Sequence, residues 1–378
     1  MRVDREKMKS LAEARSSDHG HFMSVFLSTS SKENWREVTT TFLNSAFTEL
    51  MKNRSFSKEE KRHLEGDLAR VREVLNYDIT PETQGLAIFA DGSDSVFERV
   101  ELPVVLEDRL AVGPSPYLRP LLAALSALEP FVLVQVSKDD SHIYVVDEGR
   151  VIKEDDFEGP YLKSSDPETG EVPIKEYYAA ARQETLVDQH HKEVAAALDH
   201  LLEQTRLRHV VVTGQHDIVN NFRRFLSQRA SSRLLGEFAL DATASLNQLV
   251  AKAQEVAREG RRRLQADLAH RIKESLGSGG RGVAGFDDTA VALHRGQMEK
   301  LLVDAAYYPR GFRCIECDFI SLTRSDDCPV CGGPMESVED AAGEAMRLAV
   351  LQGAFVEIAE EVPDLIDMGG IAGLLRYA

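Results

Sequence analysis

Four cysteines fall within eighteen residues, as Cys314-x2-Cys317 and Cys328-x2-Cys331. Two such knuckles can set four thiolates tetrahedrally around one ion at roughly 2.3 Å, leaving no open position for water or substrate. The spacing predicts a structural zinc ribbon over residues 312–335, a staple and not a reaction centre. Pro329 inside the second knuckle and Gly332-Gly333 after it suit tight thiolate turns. The same cysteines paired as disulfides would need an oxidising compartment. The first twenty residues lack the apolar core of a signal peptide, and no run of about 18 apolar residues suggests a membrane span. A reduced, cytoplasmic protein with no membrane partner is expected.

Other chemistry-bearing clusters read more plainly. His190-His191, with Asp188 and Glu193 nearby, contain metal-ligating types, but neighbours on a helix point in different directions, and a solvated helix face is expected. Gly277-Ser278-Gly279-Gly280-Arg281-Gly282 lacks the trailing Lys-Ser/Thr of a nucleotide loop and follows a helix where that loop follows a strand. It reads as a helix terminator and interdomain link. No Ser-His-Asp or Cys-His pattern is visible, since the cysteines are committed to metal.

The elements that must position these residues follow from periodicity. An apolar strand at 21–27 precedes charged amphipathic helices at 34–52 and 57–75, the second opened by the Ser57/Glu60 capping pair. Strands at 83–90 and 96–102 flank the Asp91-Gly92 turn signal, and a linker with Pro114 and Pro116 follows. Phe131 opens a three-stranded meander with turns at Asp139-Asp140 and Glu148-Gly149. A long helix at 177–204, a buried strand at 209–214, a helix from Asp217 and an extended charged helix at 241–270 complete an α/β layer domain. With 378 residues, 43% of them hydrophobic, the chain suits three domains: 1–125 (α+β), 126–276 and 277–378. The formal charge of −17 disfavours indiscriminate nucleic-acid binding, and DNA is not an expected partner. Arginines are nonetheless dense between Arg206 and Arg281, while 139–171 is strongly acidic.

The closing run Gly369-Gly370-Ile371-Ala372-Gly373-Leu374-Leu375-Arg376-Tyr377 resembles the Gly-Gly-Ile-x-x-Leu-Arg-Tyr end of archaeal and eukaryotic class-1 release factors and Pelota-type rescue factors. Gly282 to Leu302 resembles the opening of the same domain, and a ribbon inserted after its strand is similar to the archaeal release factors. Weaker likenesses cover Thr83 to Val151 and His209 to Arg233. The resemblance implies an RNase H-like middle domain, a kink-turn-binding-protein-like last domain, and a ribosomal A site as the binding place.

Departures from that pattern define the functional expectation. No Gly-Gly-Gln, the tripeptide with which release factors position water on the peptidyl ester, occurs in the chain. The corresponding interval, 157–182, is a Pro, Tyr and acidic loop without adjacent glycines. The Asn-Ile-Lys-Ser and Tyr-x-Cys signals of stop-codon reading are also missing. The expectation is a bacterial member that occupies the A site without hydrolysis, as Balon-like hibernation factors do, and is not an enzyme. Arg223, Arg224, Arg261, Arg262 and Arg263 are candidate rRNA contacts; Pro160, Tyr161, Lys163 and Lys175 would reach toward the peptidyl-transferase centre. An elongation-factor-type GTPase is a second expected partner. Two alternatives stay open: a divergent peptidyl-tRNA hydrolase using Gln183 or Gln189, and a protein-interaction scaffold no longer on the ribosome.

Overall fold

The computed structural model describes all residues except 1–4, 17–20, 31–33, 78, 81, 93–95, 139, 148, 159–172, 206, 240–243, 278 and 378. Two compact units emerge, one made of residues 1–127 and 265–378, the other of 128–264. The mixed α/β, multidomain architecture expected from the sequence is present, with four separate sheets.

The first stretch runs α1 (Arg5–Glu13), β1 (Phe22–Ser28), α2 (Trp35–Asn53), α3 (Lys58–Val74), β2 (Gly85–Asp91), β3 (Val96–Leu102), β4 (Arg109–Gly113) and α4 (Arg119–Ala127). Its sheet has the order β3-β2-β1-β4, antiparallel throughout. The Ser57/Glu60 capping box forms, with each side chain accepting from the other's backbone N–H. The presumed linker is instead structured. Its residues 109–113 pair with β1 as an edge strand, which leaves Pro114 and Pro116 just beyond the ladder where a missing N–H costs nothing.

The second unit contains β5 (Phe131–Val136), β6 (Asp140–Asp147), β7 (Arg150–Glu158), α5 (Pro173–Gln204), β8 (Val210–Gly214), α6 (His216–Arg223), α7 (Gln228–Ser232), β9 (Leu234–Phe238) and most of α8 (Leu246–Glu274). The sheet order is β7-β6-β5-β8-β9, with β6 antiparallel to both neighbours and β5, β8 and β9 parallel. This 3-2-1-4-5 arrangement is the RNase H-like topology that the resemblance implied. Alternation along the strands sorts its two faces. Val132, Val134, Val210 and Val212 pack with α5 and α6, whereas Phe131, Leu133, Tyr144 and Val211 pack against Leu249, Val250, Ala253 and Ala257 of α8. Gly260 allows the close approach of α8 to β9: a Cβ there would meet the Leu235 carbonyl oxygen at 2.4 Å.

The last stretch runs β10 (Gly282–Ala284), α9 (Phe286–His294), β11 (Met298–Asp304), β12 (Gly311–Cys314), β13 (Ile320–Ser321), β14 (Met335–Val338), α10 (Ala341–Leu351), β15 (Phe355–Ala359), α11 (Pro363–Asp367) and β16 (Ile371–Leu375). A mixed sheet of order β10-β16-β11-β15 forms its centre, and a small sheet β13-β12-β14 is inserted after β11. Leu301, Val303 and Ile371 face α9 and α10, while Leu302 and Ala372 face α11 and the end of α8. The Gly-Gly pair of the closing motif has a backbone reason. Gly369 and Gly370 both take positive φ, 86° and 79°, and a Cβ on Gly370 would lie 2.8 Å from the Tyr307 ring.

The first and last stretches share one unit through buried polar contacts. Arg119, 2% exposed, donates to the carbonyls of Tyr307 (2.7 Å), Asp304 (3.0 Å) and Ala305 (3.0 Å) and pairs with Asp340 at 3.2 Å. Tyr117 donates its hydroxyl to the same Asp340 at 2.8 Å, and burial together with that carboxylate pushes the phenol well above its ordinary pKa, so it remains a donor. Arg119→Met should therefore lower the stability of this unit by about 3–5 kcal/mol, because the buried Asp340 carboxylate loses its cation and three carbonyls lose a donor. Urea unfolding checks this; a loss under about 1 kcal/mol would show that the contact is dispensable.

Candidate metal centre

The four cysteines converge. Cys314 ends β12, Cys317 closes the first knuckle, and Cys328 and Cys331 form the second, with all four sulfurs within 4.8 Å of one another. Cys314 Sγ lies 3.4 Å from Cys331 Sγ, and Cys317 Sγ lies 3.6 Å from Cys328 Sγ. A tetrahedron of thiolates around zinc has edges of about 3.8 Å, so the donor set fits such an ion with little adjustment. The local chain supplies the rest. The Val330 and Gly333 N–H groups donate to Cys328 and Cys331 sulfurs, each at 3.4 Å, and Gly332 adopts φ 76° to close the second turn. Burial opposes ionisation of Cys328, yet the N–H groups of Cys331 and Val330 pull its thiol down to about 7. Burial pushes Cys317 up to about 12, and a dication at the centre would reverse that by favouring thiolate at each position. The ion would hold structure, since four protein ligands leave it no open position.

Around this centre lies a set of buried charges that sequence reasoning missed. Arg313, on β12, pairs with Glu336 at 2.8 Å and Glu344 at 3.5 Å and donates to Ser115 Oγ at 3.2 Å. Arg347, 1% exposed on α10, pairs with Glu344 at 2.9 Å and Asp318 at 3.3 Å and donates to the Ala12 carbonyl at 3.1 Å. Burial works against the Glu344 carboxylate, but Arg347 and Arg313 hold it below its ordinary range. One signal was available: a lone arginine three residues after Glu344 in the otherwise apolar run Ala341–Leu351.

The other predicted contacts are distributed differently. Arg261, Arg262 and Arg263 all lie on α8, beside Gly260. Arg263 donates to the Leu235 carbonyl at 3.0 Å, and Arg223 pairs with Glu237 at 3.1 Å, so both are partly committed to β9. Arg224 donates to Asn221 at 3.2 Å and lines an open cleft of about 500 Å³ with Lys138, Asp188 and Asp217 at the C-terminal ends of β5 and β8. Arg229 pairs with Glu203, and Arg233 donates to the Leu207 carbonyl at 2.8 Å. Pro160, Tyr161 and Lys163 lie outside the described residues; the backbone of Lys175 falls in the first turn of α5. Gln189 is an exposed residue of α5 whose side chain donates to Glu193 at 3.3 Å.

The histidine pair corrects the sequence reading. His190 and His191 are 2% and 0% exposed, not solvated. His190 meets Ser141 Oγ at 2.9 Å, while His191 bonds the Ser137 carbonyl at 3.2 Å and packs edge-on against Phe222. Both can be buried because α5 is covered on two flanks, by the β5–β6 hairpin and by α6. The spacing Val187, His190, His191, Val194, Leu198, Leu201 is the 3–4 residue stripe of a core face, a stronger signal than residue polarity. Burial drives the His191 pKa down.

Residues 116–258 match the model of bacterial archaeo-eukaryotic release factor family 10. Solved structures similar to this chain include an archaeal translation termination factor (18% identity, 99% of each chain, TM-score 0.27) and Archaeoglobus fulgidus Pelota (18%, 78% and 79%, TM-score 0.36). A model of ribosome-bound archaeal Pelota and ABCE1 is similar at 14% identity over 80% of each chain, with a TM-score of 0.40. Superposition is poor in all three, so the match over 116–258 carries the relationship.

One equivalent of zinc per chain is the expected content, with Cys314→Ser or Cys328→Ser reducing it to background. Elemental analysis of the purified protein checks this, and a zinc-free wild type prepared without chelators would refute the centre. Over residues 116–258 the chain is release-factor-like, similar to the bacterial archaeo-eukaryotic release factor family 10, as the resemblance in its sequence indicated.

Proposed function

We propose that this protein binds the ribosomal A site as a release-factor-like subunit that leaves peptidyl-tRNA intact, in the manner of a hibernation or stalled-ribosome factor. One observation carries the reading: the family match over 116–258 occurs in a chain with no Gly-Gly-Gln. Adjacent glycines give a backbone freedom that no other residues supply, and the interval where the family places them has none. The ribbon ion is zinc in a structural role, and an elongation-factor-type GTPase is the second partner in this reading. Binding would rest on arginines of α6 and α8 following rRNA phosphates, while the net charge of −17 holds down indiscriminate RNA binding.

The test is co-sedimentation with ribosomes carrying peptidyl-tRNA, with the tRNA ester assayed in the same fractions. The expected result is co-migration with the ester intact. The pair Arg261→Glu and Arg262→Glu should weaken binding by about tenfold at low salt and make its salt dependence shallower than the wild type's. Protein that stays at the top of the gradient at low salt would sink the ribosomal reading. Release of peptide, abolished by Gln183→Ala with Gln189→Ala, would replace it with the hydrolase reading.

A further inference from the structure

The ribbon is mechanically joined to the N-terminal helix. Asp318 directly follows the knuckle residue Cys317, and its backbone N–H closes the knuckle by donating to the Cys314 carbonyl at 3.2 Å. It does so at φ 60°, a left-handed conformation in which glycine or asparagine is the easier choice. The carboxylate explains the choice. Only 10% exposed, it lies among guanidiniums from three separate segments: Arg347 of α10 at 3.3 Å, Arg313 of β12 at 3.9 Å, and Arg15, just after α1. Arg347 in turn holds the Ala12 carbonyl of α1, whose Met8, Leu11 and Ala12 are buried.

The charges in this group balance. Arg15, Arg313 and Arg347 face Asp318, Glu344 and Glu336. If the knuckle relaxes, Asp318 can leave its left-handed conformation, and its carboxylate then swings away. Three guanidiniums would be left with two carboxylates. The excess repulsion falls on Arg15, the one at the rim with a side chain 41% exposed, and Arg15 belongs to the α1 segment. Arg347 and Arg313 already act on Arg15 in this sense, adding to burial in lowering its pKa.

We propose that Asp318 is a latch through which the metal-holding knuckle fixes α1 on α10, so that loss of the ion releases α1 while the sheets of the same unit stay folded. The ribbon then reports the metal state of the protein to its N-terminal segment.

Hydrogen exchange on the full chain, zinc-loaded and after chelation, tests this. Protection of the α1 amides at 9–14 should fall by about a hundredfold on chelation, since breaking a buried ion pair is strongly destabilising. The amides of β1, β2, β11 and β16 should keep theirs. Asp318→Asn, with zinc content retained, should give the same release with the ion in place. Should Asp318→Asn itself lose zinc, Arg15→Gln decides: it lies outside the knuckle and must loosen α1 with the ion still bound. Protection of α1 that survives chelation overturns the latch, as does its survival in a zinc-loaded Asp318→Asn or Arg15→Gln protein. Loss of protection in all the sheets together with α1 also overturns it, because the ion would then support the whole unit.

Discussion

A buried exchange of charge among Arg313, Arg347, Glu344 and Asp318 is the constraint on which the larger unit depends. Ions taken out of water are costly unless their partners are well placed, and here the partners come from distant parts of the chain. Such a group adds little net stability compared with an apolar core, but it has one good arrangement. An apolar surface could slide; two guanidiniums that must each find carboxylate or carbonyl oxygens cannot. Arg119 works the same way a short distance off, where four acceptors surround one side chain. Together they fix residues 1–127 and 265–378 as one body, from which residues 128–264 form a separate unit.

This arrangement changes what the four cysteines mean. Read alone, they are a local staple whose removal would disturb only the ribbon. In the folded chain the knuckle carries Asp318, and Asp318 touches the segment after α1, so the staple has a long reach. The hydrophobic layers elsewhere are more conventional. In the β7-β6-β5-β8-β9 and β10-β16-β11-β15 sheets, alternate strand residues serve opposite helices, which buries both faces of each.

Much of this was legible in the sequence where the determinants are local. The Ser57/Glu60 cap, the β5–β6–β7 meander with Gly149 at φ 78°, and the cysteine knuckles each depend on residues a few positions apart. The closing Gly-Gly was also readable, because two left-handed residues in succession leave little alternative to glycine. What escaped depends on distance. The edge strand β4 looked like a linker because its prolines stand beside it and its partner β1 is some 85 residues earlier. Strand β9 is hidden by its short length and the arginine-rich stretch before it. Adjacency on a helix suggests that His190 and His191 face solvent, whereas the 3–4 residue spacing they share with Val187 and Val194 marks a core face. For the arginine group the Glu344/Arg347 spacing is a local hint at most, since Arg347 finds its acceptor at Ala12 across 335 positions.

The account of function turns on a middle unit with the release-factor-like match and without the catalytic glycines. Imaging of ribosomes that carry the protein, purified from starved cells, tests that claim most directly. The account predicts density in the A site, with any P-site tRNA still esterified. Density outside the A site, or a P-site tRNA stripped of its peptide only when the protein is bound, would contradict it.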